Sequence, residues 1–509
     1  MPPYFIVSIV NIHCILDVDY IIMPIIEVLL NFGGELTMRH ADEYMESLKG
    51  MEPNVYMGGE VLNRSQVPGN DILCATFELA HLPEYDGIFT ATSHLSGEKI
   101  NRFCNIHQSV DDLLNKQEMT RIGARTVGGC IARCMGIDAL NALSVITKQC
   151  DMAHNTEYHD RFLAYIENFQ KNDTVGCCAQ TDVKGDRSLR PADQVDPDLY
   201  LRVVEKRSDG IVVRGAKAHN SFAPLAEEII VTPTRFLREN EKDWAVAFAI
   251  PGDAKGVKLV VRAAKHRDRM PELAGLLSGK GECESLTIFD DVFVPWERVF
   301  LCGENEFGGQ LALLFALFHR HSYTGCKPAI TDMLMGTAAL VAEYSGIERE
   351  DHVRTKLASL IGVAELVYGC GIAAAHKAIK TPSGTMMPDV VFCNVARKHA
   401  GESIFHEYEI LADIAGGLPA TLPYDTEYLS LDVGELVQKY LKRKADVSVE
   451  DIYKCYAWIG DFSCSSMAGV LQYAGLHGGG SPIMEDIAIL GTYDINSKKQ
   501  IAKRLAGIE

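Results

Sequence analysis

Four side chains stand out for the chemistry their types and spacing allow. Cys130 and Cys134 form a C-x3-C pair within Gly128-Gly129-Cys130-Ile131-Ala132-Arg133-Cys134-Met135-Gly136. The surrounding pattern predicts a helix, and residues four apart share a helix face, so both thiols are expected to point the same way. His319 and Cys326 stand seven apart in His319-Arg320-His321-Ser322-Tyr323-Thr324-Gly325-Cys326. On a continuous helix that spacing is about two turns, again one face. Two helices that each offer two such ligands can close around a metal centre. Taken singly, each pair has a plainer explanation: two core thiols, or a histidine with an unrelated cysteine. A Cys3His zinc site is a further alternative, but such sites favour C-x2-C knuckles in small modules. An iron–sulfur cluster fits better, because it prefers thiolates and holds one iron more loosely where His replaces Cys. His321 would point about 200° around the helix from His319, and spacing alone leaves both open.

The elements that must position these residues follow three textures. From 38 to 174 the apolar spacing is mainly helical, with runs at 112–119, 130–148 and 158–170. From 175 to 305 short Val- and Ile-rich runs alternate with Gly, Pro and Asp, which predicts a β domain. From 306 to 509 long helical patterns return, at 308–320, 327–345, 352–380 and 390–414, and their small residues predict a closely packed bundle. The fold class expected is α+β: helices, a β domain, then a helical bundle, an order that resembles the acyl-CoA dehydrogenase architecture.

Composition narrows the partners. The 509 residues carry a net charge of −19, which argues against nucleic acid, since phosphate backbones call for clustered Lys and Arg. Apolar residues make up 47% and charged residues 23%, ordinary for a globular chain. The 15 cysteines are an odd number scattered over a long sequence, which points to a reduced, cytoplasmic protein rather than a disulfide scaffold. Cys177, Cys178, Cys370 and Cys393 lie among apolar residues and read as core. The first 37 residues differ: an apolar run is broken by Asp17, Asp19 and Pro24, with no basic flank before it. It fits neither a signal peptide nor a membrane span, and Met38 is expected to be the native start. No later run stands out as long and apolar enough to cross a membrane.

Longer segments carry a resemblance. Asn101-Arg102-Phe103-Cys104-Asn105-Ile106-His107-Gln108-Ser109, Thr181-Asp182-Val183-Lys184-Gly185-Asp186-Arg187, the stretch from Asp209 to His219, and Ala415-Gly416-Gly417 are similar to the 4-hydroxybutyryl-CoA dehydratases. The likeness runs from about Met38 to the C terminus. It implies FAD and a [4Fe–4S] cluster held by Cys130, Cys134, His319 and Cys326, which decides for His319 over His321. It also implies an acyl-CoA substrate, a second activity that isomerises vinylacetyl-CoA to crotonyl-CoA, and a homotetramer. The β C–H bond of a 4-hydroxyacyl thioester has no carbonyl to activate it directly, so acid–base catalysis alone has little purchase there. The resemblance therefore implies a radical route, in which flavin accepts an electron and the β hydrogen and cluster iron acts as Lewis acid for the departing hydroxyl.

The same resemblance assigns the remaining positions. Thr181, Lys184, Gly185, Asp186 and Arg187 would meet the flavin at the start of the β domain, with Ala218, His219 and Ser221 on the next strand. Gly416 and Gly417 would approach a cofactor from a neighbouring subunit. Tyr323, Lys327 and Glu284 would lie at the reacting centre with His319. Without the resemblance, the charged loop reads as a surface turn and the glycine pair as a helix end. One place departs from the pattern: where the dehydratases carry a Glu three residues before the His of His477-Gly478-Gly479-Gly480, this chain has Ala474. Isomerisation alone, or a lyase reaction on another acyl-CoA, is the alternative this raises. A flavin monooxygenase of aromatic substrates, as in the wider 4-hydroxyphenylacetate 3-hydroxylase family, is the other; a zinc scaffold without catalysis has the least support.

Overall fold

The computed structural model describes residues 38–508, and the expectations placed on residues 1–37 lie outside them. Helices lead the chain: Ala41–Gly50, Asn70–His81, Val110–Val127, Cys134–His154 and Tyr158–Lys171. Val110–Val127 begins on a reciprocal cap, in which the Ser109 side chain accepts from the Asp112 N–H and Asp112 reaches back to the Ser109 N–H. It stops at Gly128, whose φ of +69° is left-handed and ends the helical path. This corrects the helix expected through 130–148: Cys130 and Ala132, at φ +53°, lie in the turn, and the next helix starts at Cys134.

Two sheets follow. One runs Glu60–Leu62, Val55–Met57, Val257–Lys265, Gly281–Pro295, Gly210–Ser221 and Arg202–Lys206 from edge to edge. The other runs Val299–Cys302, Val246–Pro251, Glu228–Val231 and Gly176–Ala179. The first sheet takes two strands from the segment that the sequence pattern reads as helical; strands of three residues are too short to show alternation. Gly281–Pro295 pairs antiparallel with Gly210–Ser221 in a register that sets Glu284 opposite Ser221.

The third region is built on Asn305–Ser345, a helix of 41 residues. It packs against Val110–Val127 and Cys134–His154 on one side and against Asp351–His376 and Val390–Ala415 on the other. Pro328 lies inside it and lacks an N–H, so one carbonyl of the preceding turn loses its helical partner. That carbonyl, of Thr324, accepts from Gln117 Nε2 at 3.3 Å. Ser466–His477 and Pro482–Thr492 both pack on Val390–Ala415, joined by the glycine-rich turn at 478–481. Contrary to the expectation for membrane spans, Asp351–His376 is long and apolar enough by composition to cross one. Within the fold it packs on both Asn305–Ser345 and Val390–Ala415, which also pack on each other. Cys177, Cys178 and Cys393 are buried, and Cys370 is half-buried beside Tyr323 and Val367.

Candidate active site and metal centre

The turn at 128–133 and the start of Cys134–His154 bring two thiols up to the middle of Asn305–Ser345. Cys134, Asp138 and His319 each offer a ligand atom, and these atoms lie within 4.8 Å of one another. The Cys130 and Cys326 thiols are close enough to act electrostatically on Cys134 and on each other. Burial pushes the Cys130 thiol up to about 12 and raises Cys134 and Cys326 as well. Thiols in such surroundings ionise readily only beside a cation, and a metal supplies one.

Asp138 is the organiser of this wall. It lies one helical turn beyond Cys134 and is fully buried. Its Oδ2 meets His319 Nδ1 at 3.0 Å, and its Oδ1 accepts from Lys116 Nζ at 3.0 Å. Ser322 Oγ donates to the same carboxylate at 2.9 Å, and Lys116 also donates to the Phe318 carbonyl at 3.0 Å. Burial opposes the Asp138 charge, but Lys116 and His319 outweigh it and hold its pKa below the usual range. A carboxylate on Nδ1 fixes the imidazole and leaves Nε2 for a metal. His321 is fully buried, and burial with Lys116 nearby lowers its pKa to about 3.

A second polar group lies along the same helix. Lys327 Nζ donates to Glu407 Oε1 at 2.5 Å and Thr331 Oγ1 at 2.8 Å, all three buried. Burial lowers the Lys327 pKa against the pull of Glu407. Tyr323 Oη donates to the Gly475 carbonyl at 2.8 Å, and the Arg397 guanidinium lies 4.4 Å over the Tyr323 ring. Arg320 Nε donates to the Gly479 carbonyl at 3.0 Å and Arg397 Nε to the Gly478 carbonyl at 2.7 Å. The glycine-rich turn thus sits over His319: a Cβ on Gly479 would stand 3.6 Å from its ring.

The proposed flavin positions gather in part. The Ala218 N–H donates to the Thr181 carbonyl at 2.7 Å, tying the 181–187 loop to the strand Gly210–Ser221. Lys184, at φ +74°, stands near Arg187 and Arg235, and His219, at φ +59°, near Lys184 and His477. Burial lowers the pKa of both Lys184 and His219. This local positive patch in an acidic chain suits a dinucleotide pyrophosphate. Gly185 and Arg187 are exposed, and Asp186 accepts from the Ser188 N–H at 2.9 Å, which closes the turn. Ser221 Oγ donates to Glu284 Oε1 at 2.5 Å. Gly416 and Gly417 stand apart, exposed at the end of Val390–Ala415, with open space where a Cβ would be.

Sequence reasoning missed several groups. Glu282 shares a sheet face with Glu284, and both carboxylates act on Cys130. Glu282 is 4% exposed, and burial with Glu284 nearby raises its pKa to about 8. Asp138 carried a usable signal, since it is four residues after Cys134. Glu485 is marked in the sequence only as an acid near Ala474, and Arg397 and Glu407 carried no signal, because only the packing of distant helices brings them to the site.

Comparison with known proteins places this arrangement. The profile of the 4-hydroxyphenylacetate 3-hydroxylase N-terminal domain matches residues 40–301, and that of its C-terminal domain matches residues 309–507. The chain belongs to the 4-hydroxyphenylacetate 3-hydroxylase family. Within that family it is 37% identical, over 92% of its length and 99% of the relative's, to the 4-hydroxybutyryl-CoA dehydratase/vinylacetyl-CoA-Delta-isomerase of Clostridium aminobutyricum. It is 30% identical to the oxygenase component of Thermus thermophilus 4-hydroxyphenylacetate 3-monooxygenase, over 80% of this chain and 85% of that one. Among solved structures, an oxygen-tolerant archaeal 4-hydroxybutyryl-CoA dehydratase from N. maritimus superposes with a TM-score of 0.88 at 35% identity, covering 93% of this chain and 95% of that one. A 4-hydroxyphenylacetate 3-monooxygenase oxygenase component complexed with FAD gives 0.81 at 25% identity, covering 92% and 98%. The family's two profiles meet between 301 and 309, where the strand region gives way to Asn305–Ser345.

Proposed function

We propose that this enzyme dehydrates 4-hydroxybutyryl-CoA to crotonyl-CoA and isomerises vinylacetyl-CoA, using FAD and a [4Fe–4S] cluster, in an acyl-CoA dehydrogenase-like fold. The observation that supports the reading is the Cys134 thiol beside a His319 that Asp138 holds through Nδ1, with the Cys130 and Cys326 thiols close enough to act on Cys134. Three soft thiols and one imidazole suit a cluster with one less tightly held iron. When bound, the cluster supplies a Lewis acid and the flavin a one-electron acceptor. The chain's own residues hold and orient: Asp138 fixes His319, Glu407 holds the Lys327 ammonium, and the Gly475 carbonyl fixes the Tyr323 hydroxyl. Thr181, Lys184, Gly185, Asp186, Arg187, Ala218, His219 and Ser221 frame the flavin, with Gly416 and Gly417 reaching a neighbouring copy in a homotetramer. The protein works in the cytoplasm on a small acyl-CoA, without nucleic acid or membrane.

A second reading, isomerisation without dehydration, is favoured by Ala474, which is exposed in the helix Ser466–His477 and carries no carboxylate. The monooxygenase reading is disfavoured, since oxygen chemistry has no use for this ligand set. The test is an anaerobic assay with 4-hydroxybutyryl-CoA and vinylacetyl-CoA in parallel, alongside iron, sulfide and zinc analysis. Crotonyl-CoA from both supports the first reading and from vinylacetyl-CoA alone the second. Conversion of neither rejects the substrate class, and stoichiometric zinc without iron rejects the cluster.

A further inference from the structure

Two adjoining cavities open beside the turn that carries Cys130. One, of about 340 Å³, reaches Gly128, two residues before Cys130, and its wall is mainly apolar, with Leu276, Leu277, Met333 and Trp458. The other, of about 520 Å³, shares Arg269, Ala457 and Asp461 with the first and so continues it. Its own lining adds Lys265, Arg267 and the serines that open the helix Ser466–His477. Cavities of roughly 300–1,000 Å³ take small organic ligands. Leu276 is 54% exposed, and Lys265 and Arg267 are exposed, so a ligand reaches both cavities from solvent.

The charges of the second cavity do not balance. Strand Val257–Lys265 runs on past its end, where the His266 N–H donates to the Lys280 carbonyl at 2.8 Å. Alternate residues of such an extended run share a side, which sets Lys265, Arg267 and Arg269 on one wall. Arg269 is neutralised: it donates from Nη1 to Asp425 and from Nη2 to Asp461, each at 3.0 Å. That engages Asp461, the one carboxylate among the described residues of either lining. Lys265 and Arg267 form no ion pair among the described residues, although the chain carries a net charge of −19. Two unpaired cations at the outer end of an apolar cavity fit a ligand with an apolar arm and a phosphorylated end.

We propose that the two cavities seat the coenzyme A carrier of the substrate, its pantetheine arm along the apolar one and its phosphates against Lys265 and Arg267 in the polar one. The inference rests on the acyl-CoA reading given above. This orientation points the thioester end toward the Cys130 turn, because the apolar cavity is the one that reaches Gly128. Gly128 also sets how close the 266–280 loop comes to that turn, since a Cβ there would collide with Leu277 Cδ1. Lys265 and Arg267 meet the carrier far from the reacting atoms, so they act on affinity and leave the chemical step alone.

The test compares the holoenzyme with the double variant Lys265→Glu/Arg267→Glu, under anaerobic conditions. Both positions are exposed, so the fold is not at stake. Calorimetry with free CoA needs no turnover. The wild type is expected to bind CoA with an affinity that falls as salt is added, and the double variant at least about tenfold more weakly. For vinylacetyl-CoA, KM should rise by about tenfold with kcat within roughly twofold. Vinylacetyl-pantetheine, which has the arm but no phosphate, should show no such difference. Leu276→Ser should raise KM for both thioesters by about three- to tenfold. A CoA affinity equal in wild type and double variant overturns the proposal. So does an equal loss with vinylacetyl-pantetheine, or a loss of flavin content, which would assign the two cations to the flavin phosphates. Leu276→Ser without effect on either thioester overturns the placement of the arm. A CoA site that needs Lys265 and Arg267, in an enzyme that converts neither acyl-CoA, defeats the reaction proposed above and leaves this site standing.

Discussion

Two parts of the site differ in how completely their polar groups are partnered. On the ligand wall, Lys116, Asp138, Ser322 and His319 form a closed network in which each charge has an opposite or a donor within about hydrogen-bond reach. Elsewhere, Arg397 Nη1 and Nη2 and Glu485 Oε1, and near Cys130 Glu282 Oε1 and Glu284 Oε2, are buried without partners. Closed networks hold a geometry; open ones wait for something to complete them. The contrast places Lys327, which Glu407 partners, with the first group.

The comparison breaks most completely at the ligands. Cys134→Ala should remove nearly all iron and both acyl-CoA activities, read by metal analysis and assay, while leaving the fold. Cutting the closed network comes next. Asp138→Ala leaves Lys116 buried without its partner and His319 unoriented, and should cost about 3–5 kcal/mol in denaturant unfolding. The same change should weaken metal affinity by about 10–100-fold in chelator competition. Glu407→Gln keeps the shape around Lys327 but removes the countercharge, and should cost about 2–3 kcal/mol by the same unfolding measurement.

A smaller effect sharpens the open side. The Glu282 pKa of about 8 lies above its ordinary 4.5, so the folded protein keeps a proton that the unfolded chain has lost in between. That contribution to stability is complete below 4.5 and is lost as pH rises through about 8. Over that window the stability should fall by up to about 1.4 kcal/mol per pH unit, and Glu282→Gln should remove this slope in pH-dependent unfolding. The smallest effect is at Gly401→Ala, which should cost about 1 kcal/mol in thermal unfolding by crowding Arg397.

Much of this was legible in the sequence. The seven-residue spacing of His319 and Cys326 held because Asn305–Ser345 is unbroken through both. The other pair was misread: the Gly128-Gly129 dipeptide ends one helix, so Cys130 reaches the site from a turn while Cys134 opens the next helix. The gathering of Lys184, Arg187 and His219 was visible only through the family likeness, since a charged loop looks like any surface turn. Arg397 and Glu407 were invisible, because their meaning comes from being buried, and tertiary packing alone decides that.

The ligand set also fixes when such a centre can be built. Cys130 and Cys134 are synthesised before the strand-rich region, and His319 and Cys326 after it. On the proposed ligand set, the four residues meet only once Asn305–Ser345 has docked on Cys134–His154, so a cluster held by all four would be completed on a folded core. In the folded chain Cys134 is buried, whereas Cys130 and Cys326 keep partial exposure, so those two thiols are the ones open to reagents from outside.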